Sequence, residues 1–274
     1  MLCKKIKRLF GANKAGHTGS LDPIASGLLP ICLGQSTKIA QFLLDDDKRY
    51  FVKGKLGEIS DTGDSEGRIS KYGSTKGIDE ALIKETLKKF DGVISQIPPM
   101  FSALKKNGTP LYKLARKGIE VERKPREVSI HDIQLISIEN NVLTLEVSCS
   151  KGTYIRTLIE DIGKHLNCGG HVIELRRIGF AHLMIDQSKT FNDLREMSID
   201  ELDNLLIGSD EMIPNLKSIY LDYDQSSDIK FGRKIKWNEL NSPQKVKLYD
   251  ANRRFVGIGE SNGSTEVLPK RLFI

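Results

Sequence analysis

The sequence predicts an α+β fold, with a large domain of strands and helices followed by a small strand-rich tail. Three stretches carry that expectation. Leu143, Leu145, Val147 and Cys149 alternate with Thr144, Glu146 and Ser148, the period-two pattern of a half-buried strand. Ile155, Leu158, Ile159, Ile162 and Leu166 follow at once and form one apolar helical stripe. In the tail, Val246 and Leu248 alternate, Phe255 to Gly259 (FVGIG) reads as a closely packed strand, and LPKRLF follows from Leu268.

The remaining elements follow in chain order. Lys14 to Leu33 is turn-rich, and Ser36 is placed to cap a helix running to about Leu44. Tyr50 to Leu56 alternates as a strand does, whereas Asp61 to Gly77 is rich in Gly, Ser and Asp and reads as a loop. Asp79 can cap a helix to Phe90 that turns Ile83, Leu87 and Phe90 inward. Pro98-Pro99 then interrupts regular structure. Gly152 to Arg156 falls at a strand-to-helix junction, where side chains can project into a cleft and helix amides favour anions. Short helical pieces from Ala181 to Ser218 read as a connector. The expected boundaries are therefore 1–180, 181–218 and 219–274.

Composition narrows the class. A chain of 274 residues holds one large domain and a small one and buries a core without staples. No apolar run is long enough to cross a bilayer. The basic start MLCKKIKRLF lacks the apolar stretch and small-residue cleavage site of a signal peptide, so a cytoplasmic protein is expected. Cys3, Cys32, Cys149 and Cys168 form no C-x-x-C pair and read as reduced, structural thiols rather than a zinc site. The net charge of +6 permits an anionic partner. Its placement says more: Lys217 to Ile274 holds eleven Lys/Arg against seven Asp/Glu, so +4 sits in the tail.

The most informative stretch is GHTGSLDP, Gly16 to Pro23. It presents Asp22 in a glycine-rich turn, held extended by the following Pro23, with His17 just upstream. Such an aspartate can be nucleophile, base or ligand, although loop aspartates more often cap turns. A second stretch crowds Lys105, Lys106, Lys113, Arg116, Lys117, Arg123, Lys124 and Arg126 around Tyr112. A charge run of this kind is usually a solvated face.

Together with GHTGSLDPIASGLLPICLGQSTK, the later KRY (Lys48 to Tyr50), PPMFSALKKNGTPLYKLARKGIEVERKPREV, GTYIRTLIEDIG and HVIELRR appear in order, and the chain resembles the TruB family of tRNA pseudouridine-55 synthases from about Cys3 to Arg177. The resemblance implies a pseudouridine synthase catalytic domain built on a mixed β-sheet, and the tail resembles a small β-barrel RNA-binding module of the PUA type. Family members generally begin with an apolar strand and a K-P-x-G-x-S-S segment, whereas Met1 here opens inside the first helix, so either the native start lies upstream of Met1 or that strand is missing. Asp22 carries over as the catalytic carboxylate, Arg156 as its guanidinium partner, and Tyr50 as the ring that stacks on the target base and takes part in proton transfer. Tyr154 and Leu175 carry over as walls of the uridine pocket, and His17 as a wedge where the base leaves its stack.

The implied reaction breaks the N1–C1′ bond of a uridine in the T-loop of transfer RNA, turns the uracil and rejoins it through C5. No electrons are lost, so neither metal nor organic cofactor is expected. Asp22 can attack C1′ or C6, or remove the C2′ proton to form a glycal; the residues do not choose. Extruding the base costs on the order of a few kcal/mol, and an aromatic platform returns about 1–3 kcal/mol. The basic insertion resembles an RNA-clamping loop and favours the stand-alone bacterial type, acting as a monomer on the T-arm stem-loop without guide RNA or membrane. The alternatives are a guide-RNA-dependent synthase and a non-catalytic transfer-RNA binder or folding helper.

Overall fold

The computed structural model describes residues 2–238, 240, 242–263 and 265–273, and the chain divides into two compact units. The first to consider comprises Gly19–Leu29 and Asp45–Ser188. Its sheet runs Leu183–Met184, Gly170–Phe180, Lys48–Leu56, Val142–Cys149, Arg126–Glu139, Gly92–Gln96, with every neighbour antiparallel. The three-residue strand Ala25–Gly27 joins Leu175–Arg177 in parallel and makes the sheet mixed, as expected.

Alternation along Val142–Cys149 buries Leu143, Leu145, Val147 and Cys149 completely or nearly so. The helix Ile155–His165 lays Leu158, Ile159 and Ile162 on this sheet with Val52 and Val172. Gly54 makes the close approach possible, since a Cβ there would stand 2.7 Å from Ile159 Cγ2. A second helix, Glu80–Leu87, is capped by Asp79, whose carboxylate accepts from the Leu82 amide at 2.8 Å, and it buries Ile83 and Leu87. All four cysteines are buried free thiols, and burial pushes the Cys149 thiol up to about 12.

The other unit gathers Met1–Thr18, Pro30–Leu44 and Lys189–Ile274. It contains the helix Leu2–Leu9, an antiparallel pair of Ala15–His17 with Ile31–Leu33, and two short helices, Phe191–Arg195 and Ile199–Asn204. Thr190 and Ser198 cap those helices in reciprocal fashion with Asp193 and Glu201. The tail is a curled five-stranded sheet in the order Lys217–Tyr220, Pro243–Tyr249, Phe255–Asn262, Glu266–Leu272, Ile235–Lys236. Its first pair is parallel and the others antiparallel, around a core of Ile219, Val246, Leu248 and Val267.

Local departures from the sequence reading have physical causes. Ser36 caps no helix: residues Gly34–Lys38 form a 3₁₀ turn, and the Ser36 hydroxyl pairs with that of Ser209 at 2.7 Å. The turn-rich Lys14–Leu33 stretch contains three short strands, and the Asp61–Gly77 loop contains Ile69–Lys71, paired with Glu58–Ser60. Lys38 donates to the Leu272 carbonyl at 2.6 Å and Lys245 lies over the Phe42 ring at 4.8 Å, so residues 30–44 are fastened to the tail.

Candidate active site

The segment from Gly19 to Leu28 is held at both ends. Leu28 donates its amide to the Arg177 carbonyl at 2.8 Å, and Arg177 Nε returns a bond to the Leu28 carbonyl at 2.7 Å. Arg177 Nη2 also reaches the Gly19 carbonyl at 3.4 Å. Between these anchors the Ala25 amide donates to the Asp22 carbonyl at 2.9 Å and closes a turn. Gly27 has φ +100, and a Cβ there would stand 2.3 Å from the Arg177 carbonyl oxygen, so the segment lies on the strand only because this residue is glycine.

That turn presents the Asp22 carboxylate with 36% of its side chain exposed, while its partner Arg156 is only 5% exposed. Arg156 Nε stands 2.8 Å from Oδ2, a close ion pair whose N–H is not aligned for a hydrogen bond. The guanidinium does not grip Asp22 in a two-point fork. Its Nη1 donates to the Thr62 carbonyl at 2.9 Å and lies 3.5 Å from Asp64 Oδ2, and Nη2 donates to the Phe101 carbonyl at 2.8 Å. The buried cation is thereby fixed on one side by backbone oxygens and a buried carboxylate, and it offers its remaining edge to an acid that solvent and substrate can reach.

Asp22 lines a cleft of about 120 Å³ with Tyr50, Tyr154, Leu175, Ala25 and Thr153. Register places them. Leu175 pairs with Val52 on one side and with Ala25 on the other, and Tyr50 pairs with Arg177. Burial pushes the Tyr50 hydroxyl up, against the opposing charge of Arg177. The ring therefore stays a neutral phenol at neutral pH, beside a carboxylate and at the wall of an open cleft. Tyr50 also packs against the central core, so its structural and site roles coexist.

Of the residues expected from sequence, Asp22, Tyr50, Tyr154 and Leu175 converge on this cleft, and Arg156 pairs with Asp22. His17 belongs to the other compact unit, half-buried at the end of Ala15–His17. Sequence reasoning missed Asp64 and Arg177. Asp64 is buried in a loop of polar residues, where Thr62 Oγ1 donates to its Oδ1 at 2.8 Å; nothing in its spacing sets it apart. Arg177 had a signal: two residues beyond Leu175 on one strand, it shares the buried face, and a buried arginine needs dedicated partners.

The chain is similar to known proteins along nearly its whole length. The family model described as TruB family pseudouridylate synthase (N terminal domain) matches residues 7–155. The tRNA pseudouridylate synthase B C-terminal domain matches residues 156–213, and the C-terminal domain of pseudouridine synthase II TruB matches residues 218–273. The tRNA pseudouridine synthase B of Haemophilus influenzae (strain PittEE) is 46% identical over 276 residues, covering 99% of this chain and 90% of that protein. Its counterpart in Pasteurella multocida (strain Pm70) is 44% identical over 276 residues, with the same coverage. Among solved structures, a Cbf5–Nop10–Gar1 complex aligns with a TM-score of 0.76 at 22% identity, over 100% of this chain and 80% of that one. An H/ACA ribonucleoprotein bound to a substrate RNA containing 2′-deoxyuridine aligns with a TM-score of 0.73 at 20% identity, over 100% and 80%. These two show the shared fold.

Proposed function

We infer from the chain's place in the TruB family of pseudouridylate synthases, to which it belongs, that it isomerises uridine 55 of transfer RNA to pseudouridine with Asp22 as the catalytic carboxylate. The observation that carries the role of Asp22 is its exposed carboxylate, ion-paired to buried Arg156 at the wall of a cleft shared with Tyr50, Tyr154 and Leu175.

In this reading the T-loop nucleotide leaves its stack and enters the cleft, with Tyr50 against the base and Tyr154 and Leu175 around it. Asp22 acts at the sugar–base junction, and Arg156 holds that carboxylate in one orientation while balancing its charge. The reaction is an isomerisation: the N1–C1′ bond breaks, a C1′–C5 bond forms, and the proton lost from C5 is balanced by one gained at N1. Tyr50, a neutral phenol beside the site, is placed to take part in that transfer. His17 serves as the wedge that fills the vacated stack. The basic segment 97–125 and the positive tail contact phosphates, and the enzyme works as a cytoplasmic monomer on the T-arm.

Asp22→Asn tests the assignment. Turnover on an unmodified T-arm stem-loop, without guide RNA, should vanish while RNA affinity stays within a few-fold of the unaltered chain. Activity near normal in the variant removes Asp22 from the mechanism. Conversion only with an added guide RNA would mark a guide-dependent synthase, and binding without conversion a transfer-RNA binder.

A further inference from the structure

Gln96 and Arg126 face each other as partners at the end of the ladder between Gly92–Gln96 and Arg126–Glu139. The basic segment 97–125 leaves the sheet at the first and returns at the second. Neither side chain lines the Asp22 cleft, yet both reach the same residue that does.

Gln96 is fully buried. Its Oε1 accepts the Tyr154 amide at 2.7 Å, and its Nε2 donates to the Tyr154 carbonyl at 3.0 Å. Tyr154 is the N-cap residue of the helix Ile155–His165, with extended backbone and no side-chain cap. The amide at that position has no partner inside the helix, and a buried side-chain amide supplies one. Arg126 takes the other end of the residue. Its guanidinium carbon lies 4.8 Å from the centre of the Tyr154 ring, and Nη2 donates to the Gly152 carbonyl. A cation over an aromatic face at this range is attracted to it.

We propose that Gln96 and Arg126 are positioning residues for the isomerisation, holding Tyr154 at backbone and ring so that its side chain lines the cleft and the helix it begins delivers Arg156 to Asp22. The assignment rests on the function proposed above. Arg156 is two residues beyond Tyr154, in the first turn of the same helix, so a shift of the clamped backbone moves the guanidinium relative to its carboxylate. Misplacement of a reacting group by about 1 Å can cost about 100-fold in rate.

Gln96→Met keeps the bulk and removes both hydrogen bonds, and Arg126→Lys keeps the charge but loses the flat face. Both are measured beside the unaltered chain in single turnover on a saturating T-arm stem-loop, with RNA affinity and thermal midpoint recorded in parallel. The expected loss in rate constant is roughly 10- to 100-fold for Gln96→Met and smaller for Arg126→Lys, with affinity within about threefold. Arg126→Met combined with Tyr154→Leu should be no slower than Tyr154→Leu alone, because both act through one ring. Unchanged rate constants, losses confined to affinity or thermal midpoint, or additive effects in the double variant overturn the assignment. Should Gln96→Met not fold, the Arg126–Tyr154 pair of variants decides it. Failure of the unaltered chain to convert uridine, by contrast, overturns the function itself.

Discussion

Arg156 meets Asp22 through Nε, 2.8 Å from Oδ2, while Nη1 and Nη2 are committed to the carbonyls of Thr62 and Phe101. A lysine offers a single ammonium and cannot span three directions from one buried position. Arg156→Lys should therefore lower the single-turnover rate by about 100-fold or more while RNA affinity changes little. A parallel measurement of rate and dissociation constant checks this, and a loss of affinity alone would contradict it.

Gly27 offers a test of the loop rather than of the charges. A methyl group there would collide with the Arg177 carbonyl and would sit at a positive φ. Strain of this kind costs about 1–3 kcal/mol before any backbone shift. Gly27→Ala should lower the urea midpoint and reduce turnover together, because relieving the clash lifts the Asp22 turn off its strand.

The contribution of His171 to the stability of the catalytic unit should fall in mild acid. His171 is buried, and burial lowers its readiness to take a proton. The unfolded chain then binds that proton first, near pH 6.5 and below. The stability contributed by neutral His171 is complete above that pH and is lost progressively as the pH falls towards the folded value. His171→Asn should show a smaller drop in urea midpoint between pH 7 and pH 5 than the unaltered chain.

Lys105 and Lys106 are exposed on a short hairpin with Thr109–Pro110, inside the segment 97–125. Replacing both with alanine should weaken RNA binding and reduce the slope of log affinity against log salt by about one for each phosphate the side chains had neutralised. Titrations at four salt concentrations would measure it, and an unaltered slope would show that these side chains do not meet phosphate.

The sequence made the strand Val142–Cys149, the helix after it and the cap at Asp79 visible, because each obeys a local period or a local hydrogen bond. Resemblance then placed Asp22, Tyr50, Tyr154, Arg156 and Leu175, and the structure gathers them around one ion pair and one cleft. What stayed hidden is long-range. Gln96 is 58 residues from Tyr154 and Arg177 is 149 from Leu28, and a buried polar side chain carries no sign in the sequence of the backbone it will hold. The attachment of residues 30–44 to the tail was hidden for the same reason, resting on Lys38 and Leu272, 234 positions apart.

The arc that bears Asp22 also has a fixed tally of residues. Pro23 and Ile24 alone separate the acid from the stitch at Ala25, and Arg177 pins the far side. One added residue would advance the chain by about 3.5 Å, beyond the tolerance of a contact measured in tenths of an ångström. Drift in this stretch can exchange letters, but insertions and deletions there should be disabling even when every functional side chain is retained.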